Sequence, residues 1–293
     1  MGMSNKMRQF TWSGYMFLVP YLLLFSSFLI LPLIYGLALS FCQWEILSPA
    51  PPRFVGWANY QEALNSEYFW KAFWATFRFV LMAVPIIVSS ALLISCGLNQ
   101  VTARNRQSFY RAAYFLPTLI SISVAGILWR WFYNNEFGLF NAFLADWGLK
   151  VPWLTEVSVA MKSIVLMTLW WTVGGSVIIF LAALKQIPDQ YYEAASIDGA
   201  GTFHRFLYIT LPLLRPVLLF VVVMSIIGSF QVFGQTFMMT RGGPELSTRV
   251  LVQYIYETAF TNYRMGYAAA MSWLLFLAIA VFSIIQFRLM RER

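Results

Sequence analysis

About six stretches of roughly 20 or more apolar residues run through this chain, and each is long enough to cross a hydrocarbon layer of about 30 Å as a helix. Lipid offers no partner to a backbone amide, so a segment that crosses it must satisfy its own hydrogen bonds, as a helix does. The approximate limits are Gly14 to Ser40, Ala72 to Leu98, Phe109 to Trp131, Val159 to Leu184, Leu213 to Met239 and Gly266 to Phe287. The predicted fold class is therefore all-α: a polytopic membrane protein. Only 11% of the 293 residues are charged and 60% are hydrophobic, against about 25% and 45–50% in water-soluble domains. Prolines at 20, 32, 85, 117 and 216 fall inside the stretches, where neighbouring groups can take up a freed carbonyl. The first stretch begins late for a signal peptide and lacks a small-residue cleavage site, so it reads as a retained helix.

Orientation follows from the placement of Lys and Arg. With the N-terminus inside, the inner segments hold eleven basic and four acidic residues, and the outer segments hold eight of each. The expected layout is a cytoplasmic segment at 1–13, a membrane domain at 14–288 and a cytoplasmic tail at 289–293. The net charge of +8 thus marks topology, since no soluble basic face exists to meet nucleic acid. Cys42 and Cys96 fall on opposite sides of the bilayer in this layout, too far apart for a disulfide, and with the single His204 they make no zinc site. Arg78 lies within the second stretch. It reads either as a ligand for an ion or solute or as a snorkelling side chain beside Trp74 at i−4.

The largest inner loop, 188–212, overlaps the stretch "YYEAASIDGAGTFHRFLYITLPLL" at 191–214 and reads as two short helices. Pro188 and Asp189 suit a first turn, where an acid meets the positive end of the dipole. Gly199 and Gly201 supply a left-handed stop, Thr202 caps a second helix, and Leu211-Pro212 ends it as the next span begins. Ala194 and Ala195 make a low-relief face beside Glu193. Such a face can seat in a groove of another protein with one carboxylate fixing register, or it can be an ordinary solvated helix.

Glu193-Ala194-Ala195, three residues, Gly199, nine residues, Ile209, one residue and Leu211-Pro212 resembles the EAA loop of permease subunits in bacterial ABC importers. "LAALKQIPDQYYEAASIDGAG", "FLPTLISISVAGILWRWFYNNEFGLFNAFL" and "MTRGGPELSTRVLVQYIYETAF" followed by "GYAAAMS" are similar to the carbohydrate-uptake branch, the maltose and glycerol-3-phosphate type. The resemblance runs from about Tyr15 to the end of the chain. It implies a type I importer permease in a bacterial inner membrane, with residues 193–200 (Glu193, Ala194, Ala195, Ser196, Ile197, Asp198, Gly199, Ala200) as the coupling helix that enters a cleft of the ATP-binding subunit. It also implies the partners: a second, related permease, two ATP-binding subunits and a solute-binding protein meeting the outer loops near Glu62 to Trp70 and Arg241 to Thr248. The extra N-terminal helices and large outer domain of some maltose-type permeases are missing from this sequence.

A phosphate-cradling Gly-x4-Gly-Lys-Ser/Thr string is absent. "TRGGP" at Thr240 to Pro244 lacks the lysine and reads as an outer turn. No paired carboxylates share a plausible pocket. The chain is therefore expected to be a non-catalytic subunit without a cofactor of its own, ATP and Mg²⁺ residing on the partner. For solute, the fifth span offers Gln231 and Gln235 one turn apart, flanked by Phe230, Phe233 and Phe237, with Gly228 and Gly234 able to loosen the helix. The same glutamines can equally bind a neighbouring helix while the rings face lipid. Trp170 and Trp171 with Thr172 and Ser176 in the fourth span, and Ser272 with Trp273 in the sixth, are weaker candidates of the same kind. Two other classes stay open at this point: an ion-coupled sugar carrier, which needs a charged relay at membrane depth, and a membrane-embedded glycosyltransferase-like enzyme, for which Glu136 and Asp146 are the available acids.

Overall fold

The computed structural model describes the backbone of residues 15–291 and the side chains as far as 288. The expected N-terminal segment at 1–13 and residues 292 and 293 lie outside it. Among the described residues, five helices are long and apolar enough to cross a membrane, and a helix pair bent by 98° passes the same test taken together, which makes six where the pair is one broken span. The chain divides into two compact units: residues up to Asn65 with Ile255–Leu274, and Ser66–Tyr254 with Leu275 onward.

The first unit holds α1 (Tyr15–Ser40), a two-residue hairpin of β1 (Cys42–Gln43) and β2 (Arg53–Phe54) in antiparallel register, and α2 (Ala58–Asn65). Asn59 Nδ2 donates to the carbonyls of Ser40 and Cys42, both at 2.9 Å, and so satisfies the end of α1. Arg264 grips Glu62 through two bonds of 2.7 Å, a fork that holds the guanidinium above its usual pKa. A Cβ at Gly266 would run into the Cys42 carbonyl, so only glycine fits that close approach.

In the second unit, α3 (Glu67–Asn99) starts at a Ser66 cap whose Oγ accepts from the Phe69 amide at 3.4 Å. Its buried face carries Ala72, Ala75, Ala83 and Ala91. Such small residues let helix backbones approach closely in a membrane, where dispersion replaces the hydrophobic drive. Against it packs α7 (Val157–Leu184). Arg78, exposed on α3, folds back so that Nε reaches the Trp74 carbonyl at 3.4 Å, the snorkelling geometry.

The third span departs from the continuous helix expected over Phe109 to Trp131. It is built from α4 (Arg104–Phe115), a 3₁₀ turn (Leu116–Leu119) and α5 (Ile122–Phe132). Pro117 has no amide to give the ladder, and Ser121 starts a fresh helix by accepting from the Val124 amide at 3.4 Å. A short helix, α6 (Leu139–Ala145), follows outside α5. The loop after it is tied by Asn141, which accepts from the Val151 amide and the Trp153 indole, each at 3.1 Å.

The loop between the fourth and fifth spans holds α8 (Asp189–Ile197). The fifth span also differs from expectation, in two ways. The second short helix does not stop before Leu211-Pro212: α9 runs unbroken over Thr202–Phe230. A π-helical stretch, Phe206–Thr210, precedes that proline, and another, Ser26–Ile30, precedes Leu31-Pro32 in α1. Widening the helix makes room for a ring that would collide with the carbonyl four residues back. Further along the chain the span breaks over Gln231–Phe233 and resumes as α10 (Gly234–Met239). The last elements are α11 (Leu251–Tyr256) and α12 (Met265–Arg291), the latter passing the expected boundary at 288.

Gly174 marks the tightest helix crossing in the second unit, because a Cβ there would strike the Tyr114 carbonyl of α4. Gly174→Ala is expected to cost about 1–3 kcal/mol through forced separation of the two backbones. A drop in the midpoint of thermal unfolding of the detergent-solubilised protein, with an unchanged midpoint for Gly175→Ala, where a Cβ meets open space, measures it.

Candidate functional site

Two features of the second unit stand out, an exposed helix at one end and a cavity further along the chain's fifth span. α8 begins just after Pro188 and takes Asp189 in its first turn. It ends where Gly199 adopts a φ of +79°, the left-handed stop. Gly201 does not share that conformation; it is the extended cap of α9, and Thr202 makes no side-chain cap. No residue of α8 is buried. Glu193, Ala194, Ser196 and Asp198 are open to solvent, and Ile197 is 88% exposed. An apolar knob beside one carboxylate on a low-relief helix suits insertion in a cleft.

A closed ring of hydrogen bonds fastens this helix to the base of α9. Tyr192 Oη lies 2.9 Å from Thr210 Oγ1, which reaches the Arg205 carbonyl at 3.4 Å. Arg205 Nη1 donates to Ser196 Oγ at 2.9 Å, and that hydroxyl donates to the Tyr192 carbonyl at 2.6 Å.

The cavity, about 370 Å³, lies between α3, α7, α9 and the start of α10. Its wall offers the rings of Phe79, Trp171 and Phe220 beside the hydroxyls of Thr168, Thr172, Ser176, Ser225 and Ser229 and the amide of Gln235. Trp171 is held by its indole, whose Nε1 donates at 2.9 Å to the Ile120 carbonyl released by the break in the third span. Thr168 and Thr172 donate to carbonyls of their own helix, each at 2.8 Å, and so keep oxygen lone pairs as acceptors. Gln235 is 8% exposed and its side chain makes no hydrogen bond among the described residues. Its carboxamide borders the cavity and is open there to a hydroxyl-rich solute as both donor and acceptor.

Of the solute residues expected from sequence, Gln235 and Trp171 line this cavity, with Thr172 and Ser176. Gln231 does not: the helix breaks immediately after it, so it does not share a face with Gln235, and it is exposed. Phe230 turns away to stack on Phe282 at 5.2 Å, and Phe233 pairs with Phe237 at 5.2 Å outside the lining. Trp273 belongs to the first unit and does not line it, and Trp170 lines a different groove. Thr168, Ser225 and Ser229 were missed, although the i,i+4 ladders Thr168–Thr172–Ser176 and Ser225–Ser229 are written in the sequence. The expected outer turn at Thr240 to Pro244 is closed by a Thr240–Thr248 hydroxyl pair at 2.7 Å.

Residues 54–292 match the family model described as "Binding-protein-dependent transport system inner membrane component". The lactose transport system permease protein of Rhizobium radiobacter is 33% identical, covering 99% of this chain and 98% of its own length. The arabinooligosaccharides transport system permease protein of Bacillus subtilis is 34% identical over 94% of this chain and 87% of its own. Among solved structures, a chain of a bacterial ABC transporter involved in the import of the acidic polysaccharide alginate has the same fold, with a TM-score of 0.82 at 24% identity over 98% of both chains.

Proposed function

Because this chain belongs to the family of inner-membrane components of binding-protein-dependent transport systems, we propose that it forms one half of the translocation path of an ATP-driven sugar importer. Its relatives named for lactose and arabinooligosaccharides and the ring-and-hydroxyl wall of its cavity support a sugar or sugar derivative as the solute. A second, related permease supplies the other half, two ATP-binding subunits hold ATP and Mg²⁺ and dock at α8, and a binding protein delivers solute to the outer loops. This chain catalyses nothing itself, and both its termini face the cytoplasm. The ion-driven carrier and the membrane-embedded enzyme find no support in the matched family or relatives.

One observation carries the mechanism: a single helix, α9, joins the elbow to the cavity. It begins at Thr202 beside the coupling helix and carries Phe220, Ser225 and Ser229 into the cavity wall. A displacement of α8 by the nucleotide cycle thus reaches the solute without an intervening joint. Sugar uptake into proteoliposomes holding the complete transporter and binding protein tests the reading, and it should stop without ATP. Glu193→Ala removes a charge-assisted contact to the ATP-binding subunit and is expected to lower uptake about tenfold in an assembled complex. Full uptake by that variant, or uptake without ATP, would overturn the reading.

A further inference from the structure

α7 separates two recesses. Trp171 faces the solute cavity, whereas the neighbouring Trp170 lines a second groove of about 560 Å³ between α3, α4 and α7. The groove is apolar and aromatic, with Ile94 of α3 opposite Tyr110, Ala113 and Tyr114 of α4. Tyr110 is 41% exposed, so the groove opens to the surroundings. It lies on a different face of α7 from the cavity.

A basic residue lies one helical turn beyond the groove's lining. Arg106 precedes Tyr110 by four residues and Ala113 by seven, which puts it on the groove face of α4. It is exposed and makes no ion pair or hydrogen bond among the described residues. Beside it, at the edge of the same face of α4, Gln107 is buried and occupied: it accepts from Lys185 Nζ and donates to the Leu98 carbonyl, each at 2.7 Å. From Arg106 to Tyr114 the helix rises about 12 Å at 1.5 Å per residue, close to the roughly 15 Å of one leaflet.

We propose that this groove holds one acyl chain of an anionic phospholipid of the inner leaflet, its headgroup on Arg106. The apolar walls take the chain. The unpaired guanidinium prefers a phosphate that brings net negative charge over a zwitterionic headgroup. This site is independent of which solute is carried.

Native mass spectrometry of the assembled transporter, taken from nanodiscs of mixed phosphatidylcholine and phosphatidylglycerol, reads it directly. The complex should retain phosphatidylglycerol preferentially. Arg106→Gln should reduce that preference about fivefold, the share of one arginine near a charged lipid surface. Ala113→Trp fills the groove and should reduce retention of both lipids with Arg106 intact. Excess inorganic phosphate should displace nothing. An unchanged preference in Arg106→Gln, undiminished retention in an assembled Ala113→Trp complex, displacement by phosphate, or a cross-link from position 110 to the sister permease would each overturn the proposal. If Ala113→Trp does not assemble, the exposed Arg106→Gln variant decides alone.

Discussion

Gln235→Leu is expected to lower sugar uptake by about 10- to 100-fold in a fully assembled transporter, whereas Gln231→Leu is expected to leave it within about twofold. Leu keeps nearly the volume of Gln, so the cavity shape survives and only the polar end is lost. In the structure that end borders the cavity and has no side-chain hydrogen-bond partner among the described residues. A solute hydroxyl that met it would be stranded against a methyl group, and a buried hydroxyl without a partner costs about 1–3 kcal/mol. Gln231 sits only four residues away but caps the end of α9, open to the surroundings. The pair thus makes an internal control, because a general effect of oil at this depth would strike both. Uptake of radiolabelled oligosaccharide, normalised to assembled complex, separates them; equal losses in the two variants would remove the cavity from the solute path.

Trp171→Phe bears on the same site. The smaller ring keeps an apolar platform but gives up the bond to the Ile120 carbonyl at the break in the third span. The cavity wall and the bent span are therefore linked through one indole.

The contrast between these two glutamines also shows how far sequence reasoning reached. Six crossings were readable because the length of apolar chain needed to span hydrocarbon is fixed by helix geometry. The breaks were not, for a reason contained in the same rule. Proline is tolerated in membrane helices, so Pro117 did not by itself announce a 98° bend, and Ser121 looked like one more small residue until it was seen capping α5. The spacing of Gln231 and Gln235 implied a shared face only if the helix continued, and the break over Gln231–Phe233 cancels that inference. Ser225, Ser229 and Thr168 were invisible for a different reason: hydroxyl side chains in apolar helices usually bond their own backbone, as Thr168 does, and only the cavity distinguishes them. The two ends of α8 were legible, since Pro188-Asp189 and the left-handed Gly199 act through local backbone energetics that need no tertiary partner. The expected stop at Gly201 and the break before Leu211-Pro212 were not found.

Arg205→Gln is expected to uncouple the machine, with ATP hydrolysis per complex kept near its normal rate and sugar carried per ATP reduced about tenfold. The argument rests on how α8 is attached. It buries none of its residues, so apolar packing does not set its angle against α9. The ring through Tyr192, Thr210, Arg205 and Ser196 does. Arg205 supplies the charged member of that ring, and a hydrogen bond from a charged group is worth about 1.5–3 kcal/mol, against about 0.5–1.5 for a neutral one. With it gone, α8 can still sit in its partner's cleft but swings at the base when pulled, so nucleotide-driven motion is spent at the joint and does not reach the cavity. Tyr192→Phe, which deletes only the bond to Thr210, should show a smaller loss of the same kind, and Arg205→Lys should recover part of the coupling. The decisive quantity is the ratio of sugar transported to ATP hydrolysed, measured in proteoliposomes. A variant that loses ATPase and transport in equal proportion would mean that the ring merely holds the loop folded, and would refute its role as the link between elbow and span.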